Sequence, residues 1–252
     1  MMAKKFKDYY DTDCARLLSD KIGSVWSRFD KNKFIQKIES ELSGKEFLER
    51  QDLFVEAFES TMTKDYIKNI AIFHKILGHE LKTTAGMFID GWWLWPVGRY
   101  VEKHGTEDFQ TSMDFIYELT KRFTGEFAIR PLIEKFPQKS VKIILKWSKD
   151  KNVHVRRLAS ESMRIRLPWA KKSLVALDEF STYKKILSNL KNDPEKFVQK
   201  SVGNNLNDLM KEAPHKANEI ISSWRKDNPS DVTLWIIKHG SRSKRIKKAD
   251  GG

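Results

Sequence analysis

Between residues 153 and 166 the sequence sets His154, Arg156, Arg157, Glu161, Arg164 and Arg166 close together. Arg157, Glu161 and Arg164 follow an i, i+4, i+7 spacing and share one helix face, leaving Val155, Leu158, Ala159 and Ser162 to pack inward. Lys200 and Asn204 fall on the equivalent face of a later segment, with Asp208 one turn beyond, and Glu126 and Arg130 stand one turn apart upstream. A face built only to grip a polyanion excludes Asp and Glu. Carboxylates recurring among arginines point to a surface that grips a polyanion and also stabilises positive charge. Spacing alone leaves plainer readings open. Arg157 with Glu161, and Glu126 with Arg130, fit ordinary helix-surface pairs worth roughly 0.3–0.5 kcal/mol, and Asn204-Asn205 fits inter-repeat hydrogen bonding.

Charge narrows the partner. The 252 residues carry 47 Lys and Arg against 34 Asp and Glu, a net charge of +13. That implies nucleic acid or an anionic membrane surface, with a merely soluble basic protein as the bland alternative. Cys14 is the only cysteine, which excludes an intrachain disulfide and a Cys-based zinc site. His154 and His239 lack the neighbours of a metal site or a nucleophilic triad, so neither metal nor other cofactor is expected. The start of the chain has no apolar signal-peptide core, and the Met87–Val97 stretch is short and broken by Asp90 and Pro96. A cytosolic, membrane-free, monomeric protein is the expectation.

The elements that must position these residues are helices. Twelve Gly and seven Pro are few for an all-β chain. Apolar residues recur at helical spacing over 31–43 (with Asp30 as N-cap), 45–61, 64–79, 107–122, 126–136, 138–149, 153–164, 181–191, 195–212, 214–225 and 231–239. Residues 143–163 and 186–206 also match each other. Setting Asp150 over Asp193 aligns Ile143 with Ile186, Val155 with Val198 and Met163 with Leu206, an offset of 43 residues. HEAT repeats, helix pairs of about 40 to 47 residues, have that period. The expected fold is all-α: a solenoid of stacked antiparallel helix pairs forming one domain over 1–252, with a basic concave face that fits a duplex. The basic segment His239–Lys248 is either a frayed terminus or additional phosphate contact.

Three segments carry a family resemblance. Gly125-Glu126-Phe-Ala-Ile-Arg130-Pro131-Leu-Ile133 resembles a motif of the AlkC family of DNA alkylation-repair glycosylases, within the AlkC/AlkD HEAT-like repeat superfamily. So does His154-Val-Arg-Arg-Leu-Ala-Ser-Glu161, continuing through Arg164-Ile-Arg166-Leu-Pro-Trp169-Ala170. Ser201-Val-Gly-Asn204-Asn205-Leu-Asn207-Asp208 is the third. Their order and spacing agree, so the resemblance covers about residues 85 to 245. Residues 1–84 agree only in helical character, and 246–252 read as a basic tail.

The resemblance implies a HEAT-like fold and hydrolysis of the N-glycosidic bond of cationic bases such as 3-methyladenine or 3-methylcytosine in double-stranded DNA. It implies Glu126, Glu161 and Asp208 as catalytic carboxylates, with Asp208 the first choice. Trp169, Arg157, Arg164 and Arg166 would contact the lesion site or the backbone. Arg156, Arg130, Lys200 and Asn204 complete the expected DNA contacts. Trp169 also fits a core tryptophan, and Trp92-Trp93-Leu-Trp95 fits either a buried aromatic junction or a DNA-facing wedge.

The chain departs from the family pattern at Ser162 and Ile165, where Gly and Pro are usual, at Gly203, where Ala is usual, and at Lys200, where Arg is common. Its end at residue 252 predicts that the β-sandwich domain of some members is absent. The alternative function is a non-catalytic HEAT-repeat protein that binds damaged or branched DNA; a protein-interaction scaffold is a more distant one.

Overall fold

The computed structural model describes residues 5–243. Those residues form helices and no strand, as the sequence predicts: α1 (Thr12–Val25), α2 (Lys31–Glu41), α3 (Phe47–Thr61), α4 (Tyr66–Ile76), α5 (Trp95–His104), α6 (Phe109–Thr120), α7 (Arg130–Lys135), α8 (Pro137–Trp147), α9 (Val153–Glu161), α10 (Val175–Asp178), α11 (Phe180–Leu190), α12 (Lys196–Glu212), α13 (Pro214–Lys226) and α14 (Asp231–Gly240). No helix among the described residues is long and apolar enough to cross a membrane. From residue 244 onward, the expected basic tail lies outside the described residues.

The chain divides after Pro131 into two compact units. In the first, α1 packs on α2 and α4, α2 on α3, α3 on α5, and α4 on α6. Its helix starts are set by short acids. Asp30 accepts from Lys33 N at 3.0 Å, Asp65 from Lys68 N at 3.1 Å and Asp108 from Thr111 N at 2.8 Å, each satisfying an amide the helix leaves open.

Three helices escape the periodicity reading: α1, α5 and the four-residue α10. The buried face of α1 is Cys14, Ala15, Leu18, Ser19 and Ile22, of which only Leu18 and Ile22 are large and apolar. In α5, Trp95, Pro96, Val97, Gly98, Tyr100 and Val101 are buried and the charged residues gather toward the helix end, so its first turns read as a continuous apolar run rather than a repeating stripe. Trp93 and Trp95 are core residues, and the Trp95 ring stacks on Phe127 with centroids 5.1 Å apart. This is the buried aromatic reading of the segment, not the wedge.

The second unit contains the matched copies. They are the pairs α8–α9 and α11–α12, followed by α13–α14. The aligned aspartates do the same work: Asp150 accepts from Asn152 N at 2.7 Å and Asp193 from Glu195 N at 2.9 Å. Each fixes the polar turn that reverses the chain within its pair. Successive pairs are cross-linked, Asn189 donating to Ser148 at 2.8 Å and Trp224 to Ser188 at 3.0 Å.

Gly203 has a packing reason. A Cβ there would lie 2.6 Å from His239 Cδ2 and 3.2 Å from its Cβ, and a Cβ on Gly240 would lie 2.5 Å from Leu206 Cβ. These two glycines let α12 and α14 approach closely. His239 is also held by stacking on Trp235, with centroids 5.0 Å apart. Gly203→Ala, the residue usual in the family, should therefore destabilise this chain by up to about 2 kcal/mol, overpacking of about 1–3 kcal/mol less the roughly 1 kcal/mol that Ala gains over Gly inside a helix. Urea unfolding reads it, and a raised midpoint would show that His239 moves aside freely.

Candidate active site and DNA-contacting surface

The second unit holds a buried triad. Glu161 ends α9, and the chain then tightens, with Met163 N bonded to Ser160 O and Arg164 N to Glu161 O. That turn brings the Arg164 side chain back over Glu161. Arg164 Nε donates to Asp208 Oδ2 at 3.0 Å, Nη1 to Glu161 Oε2 at 3.3 Å and Nη2 to Arg166 O at 3.2 Å. Exposures are 3% for Glu161, 4% for Asp208 and 9% for Arg164. Burial by itself disfavours the Arg164 charge, but Glu161 and Asp208 outweigh it and hold its pKa above the ordinary value.

The carboxylates meet because α9 and α12 approach through small polar residues. Ser201 Oγ donates to Ser160 Oγ at 2.8 Å, and Asn205 Nδ2 donates to Ser160 O at 2.9 Å and to its Oγ at 2.8 Å. Tyr183 OH of α11 donates to Asn205 Oδ1 at 3.1 Å. Burial, and then the Asp208 charge, push the Tyr183 phenol far above its ordinary pKa, so it remains a donor. Asn205 is thus the inter-repeat bond that the sequence allowed, and it stands one turn before Asp208. Asn204 faces elsewhere, accepting from Arg242 Nη2 at 3.0 Å and lying 3.3 Å from His239 Nε2.

The other candidates take distinct places. Arg157 Nη2 lies 3.8 Å from Glu161 Oε1, its guanidinium 4.7 Å from the Phe197 ring centroid. Lys200 is exposed. Arg156 clasps the turns, with Nε on Asp193 Oδ2 at 2.6 Å and Nη1 on the Asp150 and Lys151 carbonyls, each at 3.0 Å. Glu126 and Arg130 lie in the first unit and are buried. The segment containing Glu126 is a run of turns rather than the start of a helix, with Ile129 N bonded to Gly125 O and Arg130 N to Phe127 O. Pro131 sits in the first turn of α7, where a missing N–H is tolerated, so the helix opens at Arg130.

Trp169 is 62% exposed, which excludes the core reading. It occupies the third position of a Leu167-Pro168-Trp169-Ala170 turn closed by Ala170 N on Leu167 O at 3.2 Å, with φ of 62°. Type II turns place Pro second and need positive φ third, a position favouring Gly. A bulky side chain held there is strained by about 1–2 kcal/mol. Trp169→Gly should therefore gain roughly 0.5–1 kcal/mol of stability after glycine's extra unfolded-state entropy is subtracted. Thermal unfolding checks this: a lower melting temperature would mean that the contacts of the indole outweigh the backbone strain.

Sequence reasoning missed Tyr183 and Glu212. Glu212 lies one turn beyond Asp208, so its spacing was available as a signal; Tyr183 gave none. Charge is also distributed unevenly. Residues 132–252 hold 27 Lys and Arg against 13 Asp and Glu, whereas residues 1–131 hold 20 against 21. The whole net positive charge belongs to the unit with the triad, as a polyanion-binding surface requires. Burial, followed by the Arg242, Lys196 and Lys200 charges, holds His239 below its ordinary pKa.

Residues 100–248 match the family described as DNA alkylation repair enzyme. The protein YhaZ of Bacillus subtilis (strain 168) is 34% identical over 248 residues, covering 97% of this chain and 65% of that protein. The solved structure of the Pseudomonas fluorescens alkylpurine DNA glycosylase AlkC, bound to DNA containing an abasic site analogue, superposes with a TM-score of 0.83. Its identity is 28%, covering 95% of this chain and 64% of that one. The chain thus spans about two thirds of the length of each relative.

Proposed function

Because the chain belongs to the DNA alkylation repair enzyme family, we propose that it is a monofunctional DNA glycosylase acting on cationic alkylated bases of the 3-methyladenine or 3-methylcytosine kind. The observation that carries this reading is the Glu161–Arg164–Asp208 triad. It is a buried site with two carboxylates and one bridging guanidinium, in the unit that carries the chain's positive charge.

The chemistry suits such a site. A base alkylated at a ring nitrogen is already positively charged and leaves as a neutral molecule, so its departure needs no general acid. As the N-glycosidic bond breaks, its electron pair goes to the base and positive charge develops on the deoxyribose. A carboxylate fixed before the reaction stabilises that charge without having to reorganise, and its free lone pairs can orient the water that adds to the sugar carbon. Asp208 takes this role. Arg164 accounts for one of its oxygens through Nε. Arg157, Arg166 and Lys200 serve the phosphates, and Trp169 offers an exposed aromatic face for stacking on a base or wedging into the duplex. Glu126 is assigned a supporting catalytic part on the resemblance alone.

The experiment is chromatography of the bases released from methylated duplex DNA. Free 3-methyladenine or 3-methylcytosine supports the reading. Intact lesions in the presence of folded, DNA-bound protein would favour a non-cleaving binder.

A further inference from the structure

Residues 165–173 form a closed loop. Ser173 N donates to Ile165 O at 3.1 Å across its base, Ile165 and Leu167 are buried anchors, and the strained Trp169 turn is its tip. One acid grips both limbs. Glu212 Oε2 accepts from Arg166 Nη2 at 3.0 Å, and Glu212 Oε1 pairs with Lys172 Nζ. The two cations are about half exposed, at 50% and 45%, while Glu212 is 17% exposed. The hydrogen bonds from Lys172 and then Arg166 hold the Glu212 carboxyl below its ordinary pKa.

Exposed pairs of this kind add little stability, and the loop is already closed and anchored without them. Their effect lies in position and in charge. Glu212 ends α12, one turn after Asp208, so the helix that presents the catalytic carboxylate also fixes the loop that presents Trp169. Arg166 and Lys172 are also the cations on either side of Trp169 that phosphates would seek.

We infer that Glu212 is a positioning and specificity residue: it sets the Trp169 loop relative to Asp208 and competes with DNA phosphates for Arg166 and Lys172. The inference rests on the proposed role of Trp169 at the lesion. Contact with undamaged duplex must displace the carboxylate and is weakened by it, while a preset loop speeds the reaction once a lesion is engaged.

The test is Glu212→Gln, read in three ways. Affinity for undamaged duplex should rise about 3- to 10-fold at low salt, with a salt slope steeper by about one to two released counterions. Base release at saturating enzyme should fall about 10-fold, because the reacting groups lose their preset geometry. Amide exchange at Ala170 and Ser173 should quicken in the free protein. Glu212→Asp keeps the charge and should return the salt slope toward wild type. A merely structural role would weaken binding and release together. That parallel fall, or unchanged affinity for undamaged duplex, would overturn the inference. If the wild type releases no methylated base, the glycosylase reading fails, yet the affinity and exchange arms still decide whether Glu212 holds the loop.

Discussion

Asp208→Asn should lower the single-turnover rate of methylated-base release by about 10²–10³-fold, the usual effect of removing one preorganised electrostatic group. Fold and DNA binding should survive it. The amide oxygen can still accept from Arg164 Nε, which Asp208 Oδ2 now does at 3.0 Å, and Arg164 keeps its contact with Glu161. Losing one negative charge in a basic unit should leave affinity for undamaged duplex equal or higher. Circular dichroism and a binding titration on the same preparation separate this result from misfolding. A variant that bound DNA normally and released base at the wild-type rate would remove Asp208 from the chemistry.

Arg164→Met should be the most destabilising single change in the site, by about 3–5 kcal/mol, because it strands two buried carboxylates without their shared cation. The long apolar side chain keeps most of the packing volume, so the loss measures charge rather than a cavity. Neutralising the partners in the triple variant Glu161→Gln, Arg164→Met, Asp208→Asn should recover much of it, since buried ionic groups replaced together lose far less than one removed alone. Denaturant unfolding of the set supplies the measurement. A single variant within about 1 kcal/mol of wild type would mean that water or another cation reaches the pair.

The fold was largely legible because its signals are local. Asp30 announced the start of α2, and the Asp150/Asp193 register exposed a 43-residue repeat whose turns use the same aspartate bond. Where the apolar repeat was short, legibility failed: the first turns of α5 form one continuous apolar run, and only Leu18 and Ile22 are large on the buried face of α1. The site was legible in part. Helical spacing put Arg157, Glu161 and Arg164 on one face, but helix α9 ends at Glu161, and it is the turn after it that swings Arg164 between Glu161 and Asp208.

Arg156, expected among the DNA contacts, also clasps the repeat turns, a structural part that its sequence position does not announce. Arginine spacing does not reveal which arginine finds an acid 37 residues away. Trp169 was ambiguous for a related reason. Its exposure follows from the backbone of a four-residue turn, whereas the indole itself suits a core as well as a surface. The Gly203 departure, opaque in sequence, is explained by His239 lying against that position.

The most direct test is a single-turnover reaction on a duplex carrying one 3-methylcytosine or 3-methyladenine, with the free base and the abasic strand quantified together. The account predicts equal amounts of both from the wild type, strong loss with Asp208→Asn, and no release from the matched undamaged duplex. A lesion strand left whole by folded protein that binds it would contradict the glycosylase reading.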